Sequence, residues 1–92
     1  MPSLNWTASA LHDLSDAGEF ISSDNPKAAR DMAVRVREAV EYLLEHPNLG
    51  RTGRIRGTRE LVISGTPFIV VYRMHYPNIQ VLRVFHHARK WS

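Results

Sequence analysis

The sequence predicts a two-layer α+β domain, a hairpin of helices packed on an antiparallel-rich sheet, in the order strand, helix, helix, three strands. Three observations carry this. Two stretches in the first half repeat apolar residues at helical spacing. The second half holds short alternating or β-branched segments. The connections between them are short and rich in Gly, Pro and Asn. Consecutive strands joined by tight turns run antiparallel, and a helix pair with one apolar stripe needs a sheet face to bury it. A length of 92 residues predicts one domain with one modest core.

Residues 2–6 read as a short strand, with Leu4 and Trp6 on one face. Thr7 suits an N-cap, and Leu11, Leu14, Gly18 and Ile21, widened by Phe20, form the stripe of a helix ending near Ser22 or Ser23. Asp24-Asn25-Pro26 is the start signal of a second helix, a capping side chain followed by proline at the first helical position. Its stripe is Ala29, Met32, Ala33, Val36, Val40, Leu43 and Leu44, and it should end near Glu45 or His46, before Pro47. Residues 46–57 then read as a loop, with Pro47, Gly50, Gly53 and Gly57 as turn residues.

Residues 60–63 read as a strand, 64–67 as a turn, and 68–73 (FIVVYR) as a central strand buried on both faces. Tyr76-Pro77-Asn78 turns the chain into a last strand, 79–85. Strict alternation there puts Ile79, Val81, Arg83 and Phe85 on one face. Trp6, Phe20, Tyr42, Phe68 and Phe85 are expected in the core, and Tyr76 at the surface.

Charge divides the chain. Residues 1–46 hold four basic side chains against eight acids, a net of −4; residues 47–92 hold eight against Glu60 alone, a net of +7. A field of that kind attracts polyanions or acidic partners. Seven of those eight cations are arginines, suited to bidentate contacts. With no cysteine, disulfides and thiolate chemistry are excluded, which favours a reducing compartment. The longest apolar run, 68–72, is too short to span a bilayer, and the N-terminus does not read as a signal peptide. A soluble cytoplasmic protein is expected, with no membrane partner.

The element order and four local pieces, DNPKAA, EHPNLGR, RELVISGTPFIVVYR and VLRVFHHARKW, resemble the RelE/ParE superfamily of toxins from bacterial type II toxin–antitoxin modules. The resemblance covers essentially the whole chain. It implies growth arrest, a role in plasmid stabilization, and neutralisation by an antitoxin encoded by an adjacent gene. RelE-like members are mRNA interferases that cut messenger RNA on the ribosome; ParE-like members bind and poison DNA gyrase without nuclease chemistry. The reading placed first is the ribosome-dependent endoribonuclease, with gyrase inhibition as the alternative; a binding module that has lost toxicity is the third. The central strands look closer to the ParE-like branch. The arginine that RelE-like nucleases carry near the start of that strand is replaced here by Phe68 or Ile69.

RNA cleavage of this kind needs no metal or other cofactor. It needs a base, an acid and cations around the phosphorane-like transition state. The catalytic candidates are His86, His87, Arg73 and Arg83. Adjacent on a strand end, His86 and His87 point to opposite sides, so at most one faces a shared site; both also suit plain surface positions. Arg73 and Arg83 would floor a phosphate site if they face the same way; alternatively Arg73 neutralises a helix acid. Arg51, Arg54, Arg56, Arg59, Arg89 and Lys90 are the RNA-binding candidates, and the loop arginines equally suit an acidic antitoxin segment. The histidines suggest no metal-ligand set with carboxylates.

Overall fold

Two caps set the helices, and both are the ones the sequence offers. In the computed structural model, which describes residues 2–86, Thr7 Oγ1 accepts the Ala10 N–H at 3.1 Å and opens α1 (Ala8–Ser22). Asn25 Oδ1 accepts the Ala28 N–H at 3.1 Å and opens α2 (Pro26–Tyr42), with proline at its first turn. The strands are β1 (Leu4–Trp6), β2 (Arg51–Thr52), β3 (Arg59–Val62), β4 (Phe68–His75) and β5 (Asn78–His86). They form one sheet in the order β1-β5-β4-β3-β2. β1 runs parallel to β5, with Leu4 opposite Ile79, and the other neighbours are antiparallel.

The helical hairpin covers one face, called here the inner face. Ala10, Met32, Val36, Val40 and Leu43 meet Leu61, Ile63, Phe68, Val70, Tyr72, Ile79, Val81 and Val84 in one buried cluster. Central β4 is buried on both faces from Phe68 to Tyr72, as its β-branched and aromatic run predicts.

Several expectations need correction. The α1 stripe is rotated. Ala10 is buried and Leu14, Ala17 and Ile21 pack on the core, whereas Leu11 is exposed. Phe20 and Tyr42 also lie at the surface, 66% and 51% exposed, not in the core. α2 ends at Tyr42, three or four residues early. Leu43, Leu44 and Glu45 tighten into turns, each N–H bonding three residues back, and lead to Pro47, which disfavours a helical residue before it. The stretch 46–57 is not all loop, because Arg51 and Thr52 pair with Glu60 and Arg59 as β2.

The last strand departs from strict alternation. The β4–β5 register shifts between Val71 and Tyr72. Val71 faces Arg83 and Tyr72 faces Val81, so Leu82 is the extra residue of a bulge. Ile79, Val81 and Val84 therefore point inward, and Arg83 and Phe85 lie across from Val71 and Ile69 on the outer face. Arg83 does not share a face with Ile79 and Val81.

Candidate functional site

The outer face and its β3 edge hold most of the described arginines of the basic half, and each is positioned differently. The centre of the β3 edge, the side of the sheet where the two-residue edge strand β2 pairs along β3, is a carboxylate. Glu60 is 3% exposed, and a buried carboxylate needs compensating donors. It accepts the Arg54 backbone N–H at 2.9 Å and an Arg51 Nη2 bond at 3.3 Å, and the Arg54 guanidinium stands 4.0 Å away. The chain from 53 to 58 folds back on itself to make this possible. The Gly53 N–H bonds the Thr58 carbonyl at 2.9 Å, and the Thr58 N–H bonds Ile55 O at 3.1 Å. Gly57 holds φ +82°, the left-handed region that favours glycine, and a Cβ on Gly53 would overlap the Thr58 hydroxyl. Ile55 and Arg56 are left at the tip, exposed. Arg56 has no hydrogen-bond or ion-pair partner among the described residues.

Arg59 faces the other way. It pairs with Tyr72 on the inner face and donates to the carbonyl of Gly50 at 2.7 Å, with Asn48 O at 3.5 Å. The Tyr72 hydroxyl completes this corner, accepting the Gly50 N–H at 2.9 Å and donating to Pro47 O at 2.8 Å. Burial raises the Tyr72 phenol above its ordinary value, against the opposing pull of the Gly50 N–H and the Arg59 charge. Tyr72 is thus a structural residue, while Tyr76 is exposed at the β4–β5 turn as expected.

Arg73 and Arg83 do share the outer face, one opposite Gln80 and one opposite Val71. Arg73 Nε donates to Gln80 Oε1 at 2.8 Å, and among the described residues Arg73 makes no ion pair with a helix acid. It is Arg83 that does so. Its Nε and Nη2 donate to Asp13 of α1 at 2.6 and 3.0 Å, and the guanidinium lies 4.7 Å from the centre of the Phe85 ring. The same carboxylate accepts the Val84 N–H at 2.9 Å. With Thr7, which bonds Val81 O through its N–H and Leu82 O through its hydroxyl, α1 covers the β5 edge where β1 stops. Asp13 further raises the already high pKa of Arg83 by its hydrogen bond.

His86 belongs to the other side of the sheet. It pairs with Phe68 in the inner-face register, and the two rings meet edge to face at 5.5 Å. So Arg73 and Arg83 come onto one face, and His86 does not join them. His87, Arg89, Lys90 and Trp91 lie outside the described residues. His12 and Asp16 stand four residues apart on α1, 3.4 Å apart and exposed, a spacing the sequence reading passed over. Among the described residues no group of three or more histidines and carboxylates is placed to hold a metal ion, and no helix is long and apolar enough to cross a membrane.

Sequence reasoning missed Asp13 as the partner of Arg83, because nothing local links residues 70 apart. It missed Gln80 and Phe85 as the neighbours that hold Arg73 and Arg83. Glu60 carried a usable signal, as the single acid of the basic half.

The family model described as the ParE toxin of the type II toxin–antitoxin system parDE matches residues 4–91. Y4kP of Sinorhizobium fredii, which carries a provisional toxin name, is 40% identical over 88 residues, covering 96% of this chain and 91% of that protein. Toxin RelE2 of Caulobacter vibrioides is 34% identical over 89 residues, covering 97% of this chain and 99% of that protein. Among solved structures, the chromosomal ParDE system of P. aeruginosa superposes with a TM-score of 0.82 at 28% identity, covering 94% of this chain and 96% of that one. The RelBE2 toxin–antitoxin complex of Mycobacterium tuberculosis shares the fold, with a TM-score of 0.61 at 23% identity, covering 95% and 92% of the two chains.

Proposed function

The chain belongs to the ParE toxin family of type II toxin–antitoxin modules, and from that premise we propose that it arrests growth by binding DNA gyrase, not by cutting messenger RNA. The observation that carries this reading is the separation of the described catalytic candidates, His87 lying outside the described residues and being left to the test below. His86 packs against Phe68 on the helix-covered side of the sheet, while Arg73 and Arg83 occupy the opposite face. Proton transfer to a leaving oxygen requires the acid and the cations within reach of one phosphate. The arginines are also engaged, Arg83 by Asp13 and Arg73 by Gln80. What remains accessible is a cationic surface at the β3 edge, with the Arg51 and Arg54 side chains more than half exposed. A surface of this kind suits electrostatically steered docking. The protein partner that neutralises the toxin is a cognate antitoxin, in keeping with the ParDE and RelBE2 assemblies that share the fold.

The test is a supercoiling and DNA-cleavage assay with purified gyrase. Inhibition or trapped breaks at stoichiometric toxin are expected; normal supercoiling at excess toxin overturns the reading. A ribosome-dependent endonuclease is the second reading, favoured by the relative named RelE2 and by the +7 half of the chain. It predicts cuts in ribosome-bound message by primer extension that disappear in His86→Ala or His87→Ala.

A further inference from the structure

The tip of the 53–58 loop combines two features that a phosphate-binding loop does not need. Ile55 is 61% exposed, a branched aliphatic side chain held in water between Arg54 and Arg56. The backbone that presents it is fixed from below by Glu60, a buried carboxylate gripping the Arg54 N–H. A β-branched aliphatic group neither stacks on a base nor hydrogen-bonds its edge, and residues 53–58 include no aromatic. A carboxylate among the arginines also opposes a phosphate backbone. The arrangement suits a protein interface instead, an apolar anchor entering a pocket with charged groups at the rim.

We propose that the 53–58 loop is a preformed protein-docking element for gyrase: Ile55 enters an apolar pocket rimmed by carboxylates on gyrase, Arg54 and Arg56 meet that rim, and Glu60 positions the loop. This rests on the reading that the toxin acts by binding a protein. The loop is closed by its own Gly53–Thr58 and Thr58–Ile55 hydrogen bonds, so docking orders little additional chain. Glu60 is a positioning residue. Its substitution distinguishes geometry from bulk charge, because Glu60→Gln makes the surface more positive while replacing the charge-assisted hold on the Arg54 N–H and the Arg51 guanidinium by a weaker neutral one.

The experiment measures, for wild type, Ile55→Ser and Glu60→Gln, binding to purified gyrase, binding to a 20-nucleotide single-stranded RNA across a salt series, growth arrest at matched levels of folded protein, and thermal midpoint. Ile55→Ser should weaken gyrase binding about tenfold or more, with RNA binding and its salt slope unchanged. Glu60→Gln should weaken gyrase binding while RNA binding tightens. Should Glu60→Gln fail to fold, Ile55→Ser still decides, since an exposed loop residue has little bearing on stability. Unchanged gyrase affinity in Ile55→Ser, parallel loss of RNA and gyrase binding, or tighter binding of both ligands by Glu60→Gln overturns the loop proposal and leaves the gyrase reading standing. A wild type that arrests growth without binding gyrase discards gyrase instead. The loop proposal, which takes gyrase as the protein that Ile55 enters, falls with it. A wild type that neither binds gyrase nor arrests growth overturns both.

Discussion

The two edges of the sheet each gather arginine around one carboxylate, with opposite results. At the β5 edge, Asp13 arrives from a helix 70 residues away in sequence, takes Arg83 with two donors and also accepts the Val84 N–H. That arrangement uses the guanidinium to bind helix to sheet. At the β3 edge, Glu60 is fully desolvated and local, within nine residues of its partners. It spends its strongest contact on a backbone N–H, and its guanidinium contacts are long, 3.3 and 4.0 Å. The arginines around it stay more than half exposed. One carboxylate makes an arginine structural; the other leaves its arginines largely in solvent. The pairing also differs in number, one arginine to one carboxylate at Asp13 and two arginines to one carboxylate at Glu60.

Removing Asp13 should produce the largest break in that comparison. Asp13→Ala leaves the Val84 N–H unpaired and a partly exposed Arg83 without its counter-ion, and should cost about 2–3 kcal/mol in chemical denaturation. Asp13→Asn keeps an acceptor and should cost less. If Asp13→Ala is as stable as wild type, the β5 edge is held by something else.

Tyr72 sharpens the comparison at the β3 side. Tyr72→Phe strips partners from the Gly50 N–H and the Pro47 carbonyl and should cost about 1–3 kcal/mol. Because the folded-state pKa of Tyr72 is raised by burial, the associated stability is complete below the unfolded value of about 10 and is lost as pH rises through the higher folded value. Denaturation midpoints followed from pH 8 upward should fall in wild type, and the fall should be smaller in Tyr72→Phe. Equal slopes would contradict the assignment.

The smallest effect on stability is expected at the loop tip. Arg56→Ala should shift stability by less than about 0.5 kcal/mol, yet reduce target binding and its salt dependence. Lost stability there would mean that Arg56 is structural like Arg83.

Both helix starts were legible because Thr7 and Asn25-Pro26 are local chemistry. So was the central strand, whose five-residue run has no polar face. The rotated α1 stripe was not, because Leu14 and Ile21 complete a helical stripe either with Leu11 and Gly18 or with Ala10 and Ala17, and the two differ by only part of a turn. β2 is two residues long, below what any periodicity can report. The bulge at Leu82 hid the face of Arg83, since one inserted residue inverts the alternation for everything on one side of it. The separation of His86 from the outer-face arginines followed from register, which only pairing between strands defines.

The most direct test of the central claim, a cationic sheet edge that binds without cutting, sets the two activities against each other on one preparation. Toxin at stoichiometric amounts is added to gyrase on relaxed plasmid and, in parallel, to ribosomes carrying message read by primer extension. A toxin that acts by binding gyrase gives blocked supercoiling or stabilised breaks with intact message; cleaved message and normal supercoiling would contradict it.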